Sequence, residues 1–200
     1  MANRDTPNGL RPVRYVSGKP YSGAHNLYYI PAGDTTAVFI GDPVTLVGLT
    51  GAAGLNYFGI PVDRMPQVKQ AAASDALMVG VVVGFLPNPN ALGTNHRLAS
   101  TAAIAMVADD PDIVFEIQES DGRTAYTATM TGLNTDLLVG VGNTSTGTSA
   151  SEIDTTVTPV TTTLTVRLLK LVDRPDNALG ANARWEVKFV EHSNLSATGI

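Results

Sequence analysis

The sequence predicts an all-β fold: a single-domain jelly roll or small β-barrel or sandwich, with an extended N-terminal arm and at most one or two short helices. Runs rich in Val, Ile, Phe and Tyr alternate with polar residues at period two along most of the chain. Gly and Pro, 19 and 12 of the 200 residues, interrupt these runs too often to leave a long window of helical period. The stretch Val107 to Ser120, VADDPDIVFEIQES, combines both signals. A turn of three aspartates around Pro111 leads into Ile113, Phe115 and Ile117, which alternate with Val114, Glu116 and Gln118.

The elements follow in chain order. Residues 1–26 are polar and broken by Pro7, Pro12 and Pro20, which predicts an extended arm; residues 27–200 form the β domain. Strands are expected at LYYI (27–30), AVFI (37–40) and PVTLVG (43–48), with turns at PAGDTT and at Gly41-Asp42-Pro43. Residues 49–76 are Gly- and Ala-rich and predict a long excursion holding one short strand. Met78 to Phe85 gives up alternation for continuous Val, which marks a strand buried on both faces. PNPNALGTNHR (87–97) is a loop, and AIAMVA (103–108) and IVFEIQ (113–118) are strands. Only GLNTDLLVG (132–140) has a helical look, with Asn134 or Thr135 as cap and Gly140 as stop. Asn143 to Thr163 is a low-complexity Ser/Thr stretch that favours extended structure with little core. Leu164–Val172 and Trp185–Glu191 are the last strands.

Composition narrows the function classes. Charged residues make up 16% of the chain, below the usual quarter, which suits a surface partly covered by neighbouring subunits. There is no cysteine, so disulfides, thiolate metal sites and cysteine nucleophiles are excluded. The net charge is −5, but residues 1–26 carry Arg4, Arg11, Arg14 and Lys19 against Asp5 alone, a net +3. The acidic remainder argues against direct nucleic-acid binding, which rests on neutralised phosphates. MANRDTPNGL lacks the apolar stretch of a secretory signal, and the longest apolar run, near Met78 to Leu86, is too short to span a membrane.

Candidate chemistry is thin. The motifs GxxxxGK[ST], HExxH and GxSxG are absent. Gly48, Gly51 and Gly54 follow a strand, but no helix pattern and no correctly placed acid complete a dinucleotide site. Asp109, Asp110 and Asp112 offer clustered carboxylates to calcium, yet their spacing fits a turn better than an EF-hand, and Asp173 and Asp176 around Arg174-Pro175 read the same way. His25, His96 and His192 are far apart in sequence and read as unrelated positions rather than a metal set. Trp185 reads as a core or interface anchor, and Glu116 with Glu119 as an ordinary strand pair rather than glycosidase carboxylates. The expectation is a non-enzymatic protein with no catalytic residue, no cofactor and no metal. Its partner-binding residues are expected on the arm: Arg4, Arg11, Arg14, Tyr15 and Tyr21.

The order of motifs carries a resemblance. NGLRPVRYVSGKPYSGAHNLYYIPAGDTTAVFIGDPV, then GVVVGFLPNPN, then VADDPDIVFEIQE, then LLKLVDRPDNALGANARWEVKFVEH resembles structural proteins of tailed-bacteriophage heads, of the capsid decoration or cement type. The similarity runs from about Asn8 to His192 and lapses over 49–76 and 143–162. It implies a small barrel or jelly roll on the outer surface of the virion capsid, present in the host cytoplasm during assembly. The implied partners are the major capsid protein and sister copies in a dimer or trimer, with no membrane. A neck or tail component, and a carbohydrate-binding or glycan-hydrolysing jelly-roll module, are the alternatives.

Overall fold

The computed structural model of the chain describes residues 3–49, 54–72, 75, 77–121 and 125–195. Its strands are β1 (Arg11–Tyr15), β2 (Asn26–Ile30), β3 (Pro43–Leu49), β4 (Asn56–Tyr57), β5 (Ile60–Pro61), β6 (Pro66–Gln70) and β7 (Gly80–Phe85). They continue with β8 (Ala103–Ala108), β9 (Ile113–Gln118), β10 (Asn134–Thr135), β11 (Leu137–Leu138), β12 (Glu152–Ile153), β13 (Val166–Leu171) and β14 (Arg184–Phe189). One 3-10 turn, Ala128–Met130, is the sole helical element among the described residues.

Five strands close into a barrel in the order β2-β6-β3-β7-β8, and five more form a sheet in the order β1-β9-β14-β13-β10. The all-β expectation is met in its barrel form. A five-stranded barrel has a narrow interior, so small branched residues fill it. Val44, Val68, Val79, Val82, Ala105 and Val107 line that interior together with Ile30 and Tyr28. Period two then sends the intervening residues outward: Tyr29 and Ile104 join Tyr57 and Val62 in a separate cluster beneath the β4–β5 hairpin. The barrel's other flank contributes Met78, Val81 and Ala108 to the largest core, where they meet Phe115, Ile117, Trp185, Val187 and Phe189 from the sheet. Continuous Val in β7 is thus explained, because Val82 faces the barrel interior and Val81 the sheet.

The Asp-rich turn joins the two halves. Asp109, at the end of β8, accepts hydrogen bonds from Asn26 Nδ2 at 2.9 and 3.0 Å and from the Tyr28 hydroxyl at 2.7 Å. Asp110 caps the turn by accepting from the Asp112 amide at 2.8 Å, and Asp112 pairs with Lys188 of β14 at 3.2 Å. One end of the turn is therefore tied to the barrel and the other to the sheet.

Five local expectations differ from the structure. The segment 1–26 is not a detached arm: β1 lies antiparallel to β9, with Arg11 opposite Glu116 and Tyr15 opposite Ile113, and Leu10 is buried in the main core. The prolines were misleading because β1 is an edge strand, where Pro12 costs no ladder bond. No helix forms at 132–140. Leu137 is buried and Leu138 exposed, so the period there is two, and β10 pairs with β13 while β11 pairs with β12. The Ser/Thr stretch is not free of core either. Ser149, Ser151, Ile153 and Thr155 are all buried, and Thr148 bridges to Ile40. AVFI forms only isolated bridges, Val38 with Arg97 and Ile40 with Thr148, and the excursion 49–76 holds β4, β5 and β6 in place of one strand.

Removing residues 2–20 takes away β1 and empties the Leu10 site. Loss of that one buried side chain costs about 3 kcal/mol, or about 10 °C in a domain of this size. The truncated chain is expected to melt at least that much lower by circular dichroism; an unchanged melt would show that β1 adds nothing to the sheet.

Candidate functional site

A concave site lies at one end of the barrel, where the loop 86–102 between β7 and β8 meets the β4–β5 hairpin. Arg97 builds it. Its side chain is fully buried, and its guanidinium donates from Nε to Thr101 O at 2.7 Å and from Nη2 to Pro31 O at 2.9 Å and Asp34 O at 2.6 Å. Nη1 donates to Thr36 O. The Asp34 carboxylate stands 3.7 Å away. One side chain thus gathers the carbonyls of two loops, and burial draws its pKa below the ordinary arginine value. The adjacent His96 stacks on Phe39 with ring centroids 4.7 Å apart and planes 11° from parallel.

These contacts hold open a cavity of about 310 Å³, lined by Tyr57, Phe85, Leu92, His96, Leu98 and Thr101 among others. Tyr57 Oη and His96 Nδ1 are buried without a hydrogen-bond partner among the described residues. Burial raises the Tyr57 phenol above its usual pKa, so it stays protonated. Among the described residues no Asp or Glu lines the cavity, so none of them offers the imidazole a carboxylate to orient it for general acid–base work.

Its rim is apolar. Leu92 is 76% exposed and Leu98 41%. On the other side the β4–β5 hairpin turns through Phe58 and Gly59, both at positive φ (47° and 85°), a two-residue turn that normally selects Asn-Gly. A phenylalanine there carries about 1 kcal/mol of backbone strain. It stands 52% exposed, edge-on to Tyr57 at 4.7 Å.

The residues expected to bind a partner lie elsewhere. Arg14 is committed within the chain, donating from Nε and Nη2 to Glu186 at 3.0 and 2.5 Å. Tyr15 and Tyr21 pack at the edge of the main core with centroids 6.3 Å apart. Arg11 and Tyr21 share a groove of about 510 Å³ beside β1, while Arg4 lines another, of about 370 Å³, with Arg174 and Arg184. The five do not gather into one site.

Other candidates are accounted for by turns and packing. Asp109, Asp110 and Asp112 each serve a different partner, as described above, and Asp176 pairs with Arg174 at 2.7 Å. His25 is exposed and contacts Gly23 O, His96 sits on Phe39, and His192 is buried beside Met78. Among the described residues no group of three or more His, Asp or Glu side chains is placed to hold a metal. Gly48 follows a register shift in β3 and stands opposite Gln67, and Gly54 donates its amide to Asp63; Gly51 lies outside the described residues. Glu116 is bound by Arg174 and Arg184, and Glu119 by Trp185.

Sequence reasoning passed over Asp42 and Arg97. Asp42 is fully buried and accepts from the Phe39 amide and Gln70 Nε2, both at 2.8 Å, and from Ser151 Oγ at 3.4 Å. Burial raises its pKa despite those donors. Its place between Gly and Pro was the available signal; Arg97 gave none. No helix among the described residues is long and apolar enough to cross a membrane. No protein-family model, curated protein or solved structure matches the chain.

Substituting Arg97→Met removes the guanidinium donors from four carbonyls at once, leaving Pro31 O only the Asp34 amide and Asp34 O only the Ser100 amide. The expected cost is about 3 kcal/mol in urea unfolding, whereas Leu92→Ser at the rim is expected to change stability by no more than about 0.5 kcal/mol. Equal effects from the two would refute the assignment of Arg97 as the structural post and Leu92 as rim.

Proposed function

We propose that this chain is a structural protein of a tailed-bacteriophage virion, a decoration or cement protein that binds the outside of the assembled capsid and bridges neighbouring shell subunits. The observation that carries the reading is the apolar rim of the barrel-end cavity. Leu92 and Leu98 expose large side chains around a preformed hollow, and Phe58 stands exposed on the adjoining β4–β5 hairpin, against the lining Tyr57. Such a patch is suited to protein contact. The order of the GDPV, GVVVGF and DDPDIVFE motifs, which resembles phage-head proteins, supplies the kind of partner. The partner surface is the major capsid protein, and the acting unit is a dimer or trimer of this chain at a symmetry position of the shell.

The mechanism is adhesion without turnover. Whatever binds only the assembled shell stabilises assembly by mass action, and repetition over many sites makes modest contacts strong in sum. The cavity accepts an apolar side chain from the shell, with the Tyr57 hydroxyl available to a carbonyl beside it.

The test adds purified protein to mature heads that lack it and measures co-sedimentation and the temperature at which the heads release DNA. Binding is expected, with DNA release moved to higher temperature. Phe58→Ser and Leu92→Ser are expected to weaken binding at least about tenfold each, the effect of losing about 1.4 kcal/mol, while the isolated protein's melt changes little. Heads that take up none of the protein, or equal binding by both variants, would overturn the proposal; binding to a glycan array instead would favour a carbohydrate module.

A further inference from the structure

Glu119 stands one residue beyond β9, where the sheet meets the chain segment that returns through Tyr126 and β12. It is fully buried. Its Oε2 accepts from the indole Nε1 of Trp185 at 3.1 Å and from the Tyr126 amide at 3.3 Å. Its Oε1 is buried with no partner among the described residues. Its own amide donates to Ala183 O at 2.8 Å, and the next amide, of Ser120, to Ile153 O at 3.0 Å. A buried carboxylate held by two neutral donors, and by no cation among the described residues, strongly disfavours its charged form.

We propose that Glu119 is a proton-operated latch between the sheet and the returning segment at Tyr126. Protonated, the carboxyl sits neutral in the core and holds Tyr126 and Trp185 in place. Ionised, it draws solvent toward Oε1 and loosens the contact of Tyr126 with the sheet.

The surroundings fit. The Tyr126 hydroxyl donates to Asp154 O or Val157 O at 2.9 Å and lies 2.7 Å from Thr135 Oγ1, and burial pushes its pKa to about 12, so it does not titrate in the same range. Asp154 and Asp136 flank Tyr126. On the outer side of the same joint, Glu152 of β12 is raised to about 7, first by burial and then by Asp5 and Asp121. No Lys or Arg pairs with Glu119 among the described residues. Burial likewise carries Glu119 from 4.5 to about 7. The sign follows: a carboxyl raised in the folded state contributes stability that is complete below about 4.5 and is lost as the pH rises through about 7.

The chain contains one tryptophan, so Trp185 fluorescence reports this contact directly. The full-length protein is titrated from pH 5 to 9. A sigmoidal change in Trp185 emission centred near 7 is expected, absent in Glu119→Gln and retained in Glu152→Gln. Carboxyl-carbon NMR of the unaltered chain gives a second reading that needs no variant: the Glu119 signal is expected to titrate near 7. A flat emission profile, a transition that survives Glu119→Gln or vanishes only in Glu152→Gln, or a Glu119 carbon that titrates in the ordinary carboxylate range would each overturn the latch.

Discussion

The fold depends on placing a few polar side chains in the interior where a barrel and a sheet must be held at one angle. Hydrophobic contact alone is non-directional and lets two β layers slide. Asp109 removes that freedom at the turn between β8 and β9, because Asn26 and Tyr28 on β2 hold its carboxylate from the barrel side. Asp42 does the same where β3 begins. It gathers Phe39, Gln70 and Ser151, and so fixes the barrel against the returning Ser/Thr segment. The N-terminal chain reaches this point too: Leu10 donates its amide to Gly41 O at 2.9 Å. Gly9 and Gly41 both have positive φ, and a Cβ on Gly9 would lie 2.5 Å from Gly41 O. Four distant parts of the sequence therefore meet at one aspartate.

Charge on the outer face of the sheet follows from register. Glu116 of β9 and Glu186 of β14 are directly opposite one another, an arrangement that is repulsive between bare carboxylates. Each is flanked by two cations, Glu116 by Arg174 and Arg184 and Glu186 by Arg14 and Lys170. Arginine supplies three of the four, and its planar fork suits a shared carboxylate better than an ammonium does. The N-terminal segment contributes Arg14 to this ladder, where it shares Glu186 with Lys170 of β13.

Strands whose alternation is decided by one packed face were legible from the sequence: β2, β3, β7, β8, β9, β13 and β14 all fall within or beside the expected runs. The Asp109–Asp112 turn was legible because Asp and Pro act locally. What failed to show was decided by partners distant in sequence. Leu10 gives no periodic signal, yet it fills the main core. Ser149 and Ser151 look like linker residues and are buried because Asp42 needs donors. Leu137 and Leu138 look like a helical pair, but β12 binds one side of them and turns the period to two. The barrel-end cavity was equally hidden, since it depends on Arg97 reaching four carbonyls across two loops.

These observations share a division of labour that runs against the usual arrangement of a small domain. Charged side chains are placed inside, at Asp42, Arg97, Asp109 and Glu119, each joining segments far apart in the chain. Large apolar side chains that a core would bury are instead exposed, Leu92 at the cavity rim and Phe58 on the adjoining hairpin. A directional interior resists shear between the layers, because hydrogen bonds are lost when buried partners move apart. An apolar rim on such a frame can then be pressed against a neighbour without deforming, and the strained turn beneath Phe58 keeps that side chain outward before contact. Little ordering entropy remains to be lost on binding, so a small contact area can hold more firmly than the same area on a pliable loop.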